Sequence, residues 1–513
     1  MRGLIFPTHA AGEMDPYQVF RAARILLLVL LGLFFLFLAR GKPLSQTLRI
    51  LLFAVVTGAV LSFPNFGFFH VRWGHIHYWD AFHYFTGAKY LPELGYSGLY
   101  EATFVAGREL GAFGSITQVR SLKTYVLHEV GSIDPEAVRR RFSADRWLDF
   151  KRDLTFFGPH ITQWDRLLVD HGYNDPLPRA LLLHSLLRSL PANTFTLTLL
   201  TSFDYLIMIA AFYFVRRTFG SIPATLAIAF FSLSFFGRFD FIGGSILRWD
   251  WVAALLAGVA AFARGLGGTA GIFLGYAALA RIFPALFFVP LGIKWLQYRR
   301  NKERDVALSR CLGSAAALVL MVAAGLVVWG EGRSLLPEFL AKIRLHAEVP
   351  FSNSVGLSPL IAFTAAPWSM SPEGNFLVAH AALLAARPAP WVPLVVSVFY
   401  LLVAIPLILR ARPAESIMYS IPLIFFALSL TGYYYSFLVL LVLLPWRGQR
   451  ADRVRLIEMA LITAITAVSY AFELHSDEAF PLFYQASIQL GVFFFLWIGF
   501  EYARLRSESD RAP

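Results

Sequence analysis

An all-α polytopic membrane protein is the fold class this sequence predicts, and three observations carry the prediction. Apolar runs recur from end to end of the 513-residue chain, 57% of its residues are hydrophobic against 15% charged, and the mean hydropathy is +0.59. A soluble globule of this length carries far more charge. The runs are too long for barrel strands and lack period-two alternation, so each is read as a helix that satisfies its own backbone.

Taken in order, the apolar segments lie near residues 25–39, 49–69, 195–215, 222–236, 249–263, 267–297, 312–329, 391–409, 416–431, 434–446, 456–471 and 480–499. At about 20 residues per crossing they predict a bundle of roughly 11 to 13 transmembrane helices. The stretch 267–297 reads as two short helices broken around Arg281 and Pro284. Segment 25–39 stays open, because a crossing there places Arg2, Arg21 and Arg24 on the outer side, against the usual charge bias. No cleavable signal is expected, since no small-residue cleavage site follows the first apolar run. The aromatic share of 16%, led by Phe, suits lipid-facing helices and interfacial belts.

A formal charge of +12 raises the question of nucleic acid, but the basic residues cluster in short loops between spans, where topology explains them. Arg216 and Arg217, the run Arg299 to Arg304, Arg410 with Arg412, the group Arg447 to Arg455, and Arg504 with Arg506 alternate with poorly basic turns. The basic set is therefore assigned to the cytoplasm. That assignment divides the chain into N-terminal membrane helices (1–69), an external segment (70–194), a transmembrane bundle (195–503) with an external loop at 330–358, and a cytoplasmic tail (504–513). The lone Cys311 excludes an intramolecular disulfide.

The external segment mixes Trp, Tyr, Phe and Leu with charges, so it is expected to fold. Asp134-Pro135-Glu136 reads as an N-cap, a proline at the first helical position and an acid in the first turn. Residues 179–190 alternate Leu with His, Ser and Arg at helical period and are too short to cross, which predicts an amphipathic helix on the outer membrane surface.

The stretch His77-Tyr-Trp-Asp80-Ala-Phe-His83-Tyr84 opens that segment. If a helix begins near Tyr78, Asp80 shares a face with His83 or Tyr84. A carboxylate among apolar helices ionises less readily than one in water, a property that suits a general base. The other reading is that Asp80 caps or pairs within the loop. His77, Asp80 and His83 are spaced by three, but no established metal-ligand pattern is present, so no metal ligand is assigned.

A second constellation, Lys342, Arg344, His346, Glu348, Asn353 and Ser354, is expected in an external turn, where its cations suit a phosphate head group. A plain solvated loop fits the same composition. Arg238, Asp240, Arg248, Asp250 and Arg281 sit near span ends, where ionisable groups are functional candidates by default. A structural role is the preferred reading for Asp240 and Asp250.

Three local matches give the chain a family likeness. Asp80 with the downstream Gly95-Tyr-Ser-Gly-Leu-Tyr100, then Tyr173-Asn-Asp-Pro176-Leu-Pro178, then Ser352-Asn353-Ser354-Val-Gly-Leu357 resemble, in that order, the external motifs of the GT-C membrane glycosyltransferases. The branch they look most like is the bacterial polyprenyl-phosphate-mannose-dependent mannosyltransferases, which Arg281-Ile-Phe283-Pro284 also resembles. The likeness covers roughly residues 75–450. It departs where Pro176 and Pro178 are not adjacent and where the first external loop is unusually long, which puts acceptor identity in doubt more than fold.

What the resemblance implies is a GT-C-like bundle with a large helical first external loop, set in a bacterial inner membrane with its active site facing the periplasm or cell exterior. A sugar, most simply a mannose-like hexose, would pass from polyprenyl phosphate to an acceptor hydroxyl on a glycolipid, glycan or protein, with inversion. Asp80 would be the base. His83, Tyr84 and Asn353 would contact substrate, and Lys342, Arg344, His346 or Arg281 would face the leaving phosphate. No nucleotide and no certain cofactor are implied; some GT-C enzymes use a divalent metal, and these residues do not decide. Two rival classes remain: a transporter or flippase of lipid-linked sugars, which predicts internal repeats not found here, and a non-catalytic membrane scaffold, which leaves the structured external loop unused; a related variant is a ligase moving a whole glycan.

Overall fold

The computed structural model describes residues 15–71, 73–328, 330–349, 351–365, 385–443, 446–447, 450–476 and 479–509. Its first helix, α1 (Pro16–Ala39), starts where Asp15 accepts a hydrogen bond from the Tyr17 amide and Pro16 takes the first helical position. At 24 residues it is long enough to cross a membrane, and the open segment 25–39 lies wholly inside it. The chain then turns into α2 (Gln46–Ser62).

Arg21 and Arg24 do not stand as free charges at the end of α1. Arg21 Nε lies 3.3 Å from Glu473 Oε2, and Arg24 reaches Asp240 at 3.6 Å, the Ser62 carbonyl at 2.6 Å and Asn65 Oδ1 at 2.7 Å. Buried and paired, they weigh little in a rule that counts exposed loop charge.

Residues 73–194 supply most of a second apolar core, which Ile246, Leu335 and Phe339 join. Four helices build most of it: α3 (Tyr78–Lys89), α4 (Leu99–Glu109), α5 (Ala144–Phe157) and α6 (Leu177–Leu187). Helix α3 begins at Tyr78, and a Cβ on its Gly87 would stand 2.5 Å from the Tyr173 ring, so only glycine lets the two elements meet there. A five-residue helix, Pro135–Arg139, is capped by Asp134 through the Glu136 and Ala137 amides, as its sequence predicts. A hairpin of β1 (Gln118–Arg120) and β2 (Leu127–Glu129) closes one side.

Helix α6 overlaps the expected stretch 179–190, but its faces are mixed. Arg179 and His184 are buried with Leu181, Leu183 and Leu187, His184 Nδ1 lying 3.0 Å from the Ala88 carbonyl, while Leu182 and Leu186 are exposed beside Ser185 and Arg188. Partners in the fold, invisible to periodicity, draw Arg179 and His184 inside.

Most of the remaining described residues are helical: α7 (Thr194–Phe219), α8 (Ser221–Leu233), α9 (Asp250–Ala263), α10 (Gly267–Ala280), α11 (Phe288–Arg300), α12 (Val306–Val328), α13 (Gly330–Glu348), α14 (Leu357–Ala365), α15 (Trp391–Arg410), α16 (Ser420–Ala427), α17 (Arg453–His475) and α18 (Ala479–Ser509). A short 3-10 turn, Phe283–Phe287, separates α10 from α11 at the expected break. Helix α17 lies antiparallel along α1, with Arg21 beside Glu473 at one end and Gly41 beside Arg453 at the other. Helix α18 carries the expected tail as far as Ser509; residues 510–513 lie outside the described residues.

Among the described residues, 6 helices are long and apolar enough to cross a membrane: α1, α7, α12, α15, α17 and the stretch Pro481–Arg506 of α18. The chain is thus an all-helical protein with the makings of a membrane protein, but the long spans are fewer than the roughly 11 to 13 expected from the apolar runs. The difference lies in the other apolar helices, which are only 10–17 residues long. Gly, Pro and buried ionisable residues interrupt those runs, as at Arg281 and Pro284.

Candidate active-site cleft

The start of α3 is laced to the loop before α9. His77 caps the helix by accepting from the Asp80 amide through Nδ1, and its own amide donates to the Gly244 carbonyl at 2.9 Å. Gly244 has φ of +71°, and a Cβ there would lie 1.8 Å from the His75 carbonyl oxygen, so the close approach demands glycine. Farther along the loop, the Arg248 and Trp249 amides donate to the Asp204 carboxylate on α7 at 2.7 and 3.1 Å.

This lacing sets Arg248 against Asp80. The guanidinium Nε lies 3.0 Å from Asp80 Oδ2, and the group rests over the Tyr84 ring at 4.2 Å and the Tyr433 ring at 5.3 Å. The Arg248 side chain is only 2% exposed against 18% for Asp80, and among the described residues its Nη1 has no hydrogen-bond partner. A buried guanidinium with an unsatisfied donor is costly to hold, and an anion in the cleft is the kind of group that would satisfy it.

A cleft of about 600 Å³ opens beside this pair, lined by Asp80, His83, Tyr84, Asp170, Asn174, Arg248, His346, Asn353 and Tyr433 with the aromatic walls Trp73, Trp79, Phe241 and Phe351. His83 is positioned from both sides, Nδ1 lying 2.9 Å from the Trp79 carbonyl and Nε2 2.8 Å from the Tyr100 hydroxyl. Asn353 reaches the cleft because its carbonyl accepts from the Gly432 amide, where β3 (Ser354–Val355) pairs with β4 (Leu430–Thr431).

The cationic constellation is not in a turn. Helix α13 runs to Glu348, which separates its members by face. Lys342 is buried, its ammonium donating to the Leu122 and His171 carbonyls and sitting over the Tyr125 ring at 4.4 Å. Burial pushes the ammonium down to about 7. His346 lies in the cleft wall, Nδ1 3.1 Å from the Tyr125 hydroxyl and Nε2 3.3 Å from Asn174 Nδ2. Burial, with His171 and Lys342 nearby, pushes its imidazole down to about 3, so it is neutral near pH 7. Arg344 faces solvent, 83% exposed and paired with Glu348. Arg281 is buried outside the cleft, its Nη1 2.5 Å from Asp175 Oδ1.

Of the residues singled out from sequence, Asp80, His83, Tyr84, His346 and Asn353 therefore meet in one cleft, while Lys342, Arg344 and Arg281 do not reach it. Arg248 had been noted only as one of several ionisable residues at span ends. Asp170 had no motif of its own; its one signal was adjacency to the Tyr173-Asn-Asp-Pro176 stretch. Its Oδ2 accepts from Trp79 Nε1 at 2.9 Å, and His171 Nδ1 lies 3.5 Å from Oδ1. Its side chain is 41% exposed yet set within the cleft; partial desolvation there opposes its ionisation, but these contacts and His83 hold the carboxyl well below the usual range. Among the described residues no group of three His, Cys, Asp or Glu side chains is placed to hold a metal ion. Comparison with protein-family models, with curated proteins and with solved structures returns no match to this chain.

Proposed function

We propose that the protein is an integral membrane glycosyltransferase that moves a hexose, mannose-like in the simplest case, from polyprenyl phosphate to an acceptor hydroxyl. The observation that carries this reading is Arg248: a buried cation with an open donor, beside a carboxylate, in a cleft walled by aromatic rings. Arg248 takes the phosphate of the donor through charge-assisted hydrogen bonds. Asp80, released from its ion pair, accepts the proton of the acceptor hydroxyl as that oxygen bonds to the anomeric carbon. The bond from the anomeric carbon to the phosphate oxygen breaks on the opposite side, inverting the centre, and the phosphate leaves with charge that Arg248 stabilises.

In the same reading, the shorter apolar helices alternate with the long ones to complete the roughly 11 to 13 crossings of a GT-C-like bundle in a bacterial inner membrane. The helix ends that carry Arg216, Arg299, Arg410 and Arg453 face the cytoplasm, and the cleft opens to the periplasm or cell exterior.

The test is transfer of labelled sugar by purified protein in nanodiscs supplied with a panel of polyprenyl-phosphate sugars and envelope glycolipid acceptors. Transfer by the wild type supports the reading. No transfer with any donor, together with movement of lipid-linked sugar across a vesicle membrane, replaces it with the flippase.

A further inference from the structure

We propose that Asp170 and Trp79 form a subsite for a pyranose ring, in which the carboxylate accepts hydrogen bonds from sugar hydroxyls and the indole supplies the apolar face. The inference rests on the transferase reading for which sugar is bound, but not for whether one is bound.

The cleft contains two carboxylates in different circumstances. Asp80 is held by the Arg248 guanidinium and is 18% exposed. Asp170 is 41% exposed, and among the described residues no arginine or lysine stands within ion-pair distance of it, although Arg120 and Lys342 act on its charge from farther off. One of its oxygens takes the Trp79 indole N–H, and the other has the 3.5 Å contact with His171. A carboxylate offers about four lone-pair sites, so about half of its accepting capacity is left for a ligand in the cleft that it lines. Its contacts keep it ionised, and an ionised acceptor bonds hydroxyl donors more strongly than a neutral one.

Trp79 is fixed at both ends. Its indole N–H is committed to Asp170, and its carbonyl oxygen lies 2.9 Å from His83 Nδ1. A ring so held presents a constant apolar face, and an apolar wall with a few placed polar groups is the usual make-up of a small-molecule site. Trp79 and Asp80 line the same cleft, so a sugar seated on the indole shares that cleft with the candidate base. The sugar of the donor and a sugar of the acceptor share this chemistry, and kinetics separates them.

The test compares wild type with Asp170→Asn, whose amide oxygen can still accept from Trp79. Steady-state transfer in nanodiscs is expected to show KM raised about tenfold or more with kcat nearly unchanged and the pH profile of kcat unmoved. A rise in donor KM assigns the subsite to the donor sugar, and a rise in acceptor KM assigns it to the acceptor. In parallel, saturation-transfer NMR with a panel of methyl hexopyranosides is expected to show binding by the wild type that Asp170→Asn loses. The NMR arm decides the matter even if the wild type transfers no sugar from polyprenyl phosphate. Unchanged KM for both substrates overturns the proposal, as does loss of the acidic limb of the pH profile at unchanged KM, which makes Asp170 a base. Wild-type protein that binds none of the glycosides and transfers no sugar overturns it too.

Discussion

Arg248 Nε lies 3.0 Å from Asp80 Oδ2, which puts the cleft's most buried cation and its candidate base in a single ion pair. In that arrangement each group masks the other. Under the proposed reaction, an incoming phosphate competes with Asp80 for the guanidinium, and the carboxylate is freed only when the donor is in place. The pair would thereby couple donor binding to base availability, and the proposal predicts that donor binds before acceptor. Product-inhibition kinetics checks the order; random binding would remove the coupling.

Replacing either member has a defined consequence. Asp80→Asn keeps the shape but removes the proton acceptor, and transfer is expected to fall about 10² to 10⁴-fold. Arg248→Lys keeps the charge but loses the forked donors, with an expected fall of about 10² to 10³-fold. Rates in nanodiscs, with thermal unfolding alongside to confirm folded protein, check both. Activity within a few fold of wild type for Asp80→Asn would remove it as the base.

How far the site was legible depends on whether its contacts are local. The start of α3 at Tyr78 and the cap at Asp134 follow from neighbours in sequence, and both stand where the residues place them. Arg248 could be flagged as a charge near a span end, but its pairing with Asp80 is set by Gly244 passing close to His75, a tertiary contact with no periodic signature. The constellation at 342–346 was misplaced for a geometric reason. Read as a turn, Lys342, Arg344 and His346 stand together; wound into α13, residues two apart point in different directions while those four apart share a face. Lys342 and His346 thus turn toward Leu122 and Tyr125 and Arg344 to solvent. The burial of Arg179 and His184 on α6 is hidden in the same way, because they answer partners on α3, α9 and the loop before α9.

Lys342 gives a pH dependence of stability. Burial lowers its pKa to about 7, below that of a lysine in the unfolded chain. Between about pH 7 and 10 the unfolded state therefore binds more protons, and the stability contributed by this site rises with pH. Compared with Lys342→Met, the wild type is expected to gain in melting temperature as pH increases from 7 to 9.5. Parallel melting curves for the two proteins across that range would exclude the effect.

Arg344 supplies the contrasting case. Its ion pair with Glu348 is 3.2 Å long but highly exposed, and surface pairs of this kind contribute about 0 to 1 kcal/mol. Arg344→Ala is expected to leave transfer rate and donor KM unchanged. A donor KM raised tenfold would bring this side chain back into phosphate binding.

Behind the cleft, Asp175 binds two guanidinium groups at once, those of Arg179 and Arg281, and its side chain is fully buried. Arg179 also reaches Asp250 Oδ2 at 3.2 Å, which in turn accepts from the Tyr276 hydroxyl at 2.7 Å. The network ties α6 to α9 and to the end of α10, the elements under Tyr84. Removing one partner of such a set leaves a buried charge without its counterion, so Asp175→Asn is expected to cost about 3 to 5 kcal/mol. Adding Arg281→Met removes the orphaned cation as well, and the double variant is expected to recover much of that loss. Thermal unfolding of the wild type, both single variants and the double variant in one detergent forms the cycle. Additive losses would mean that Arg281 and Asp175 are not energetically coupled, and the support beneath Tyr84 would then rest on Arg179 and Asp250 alone.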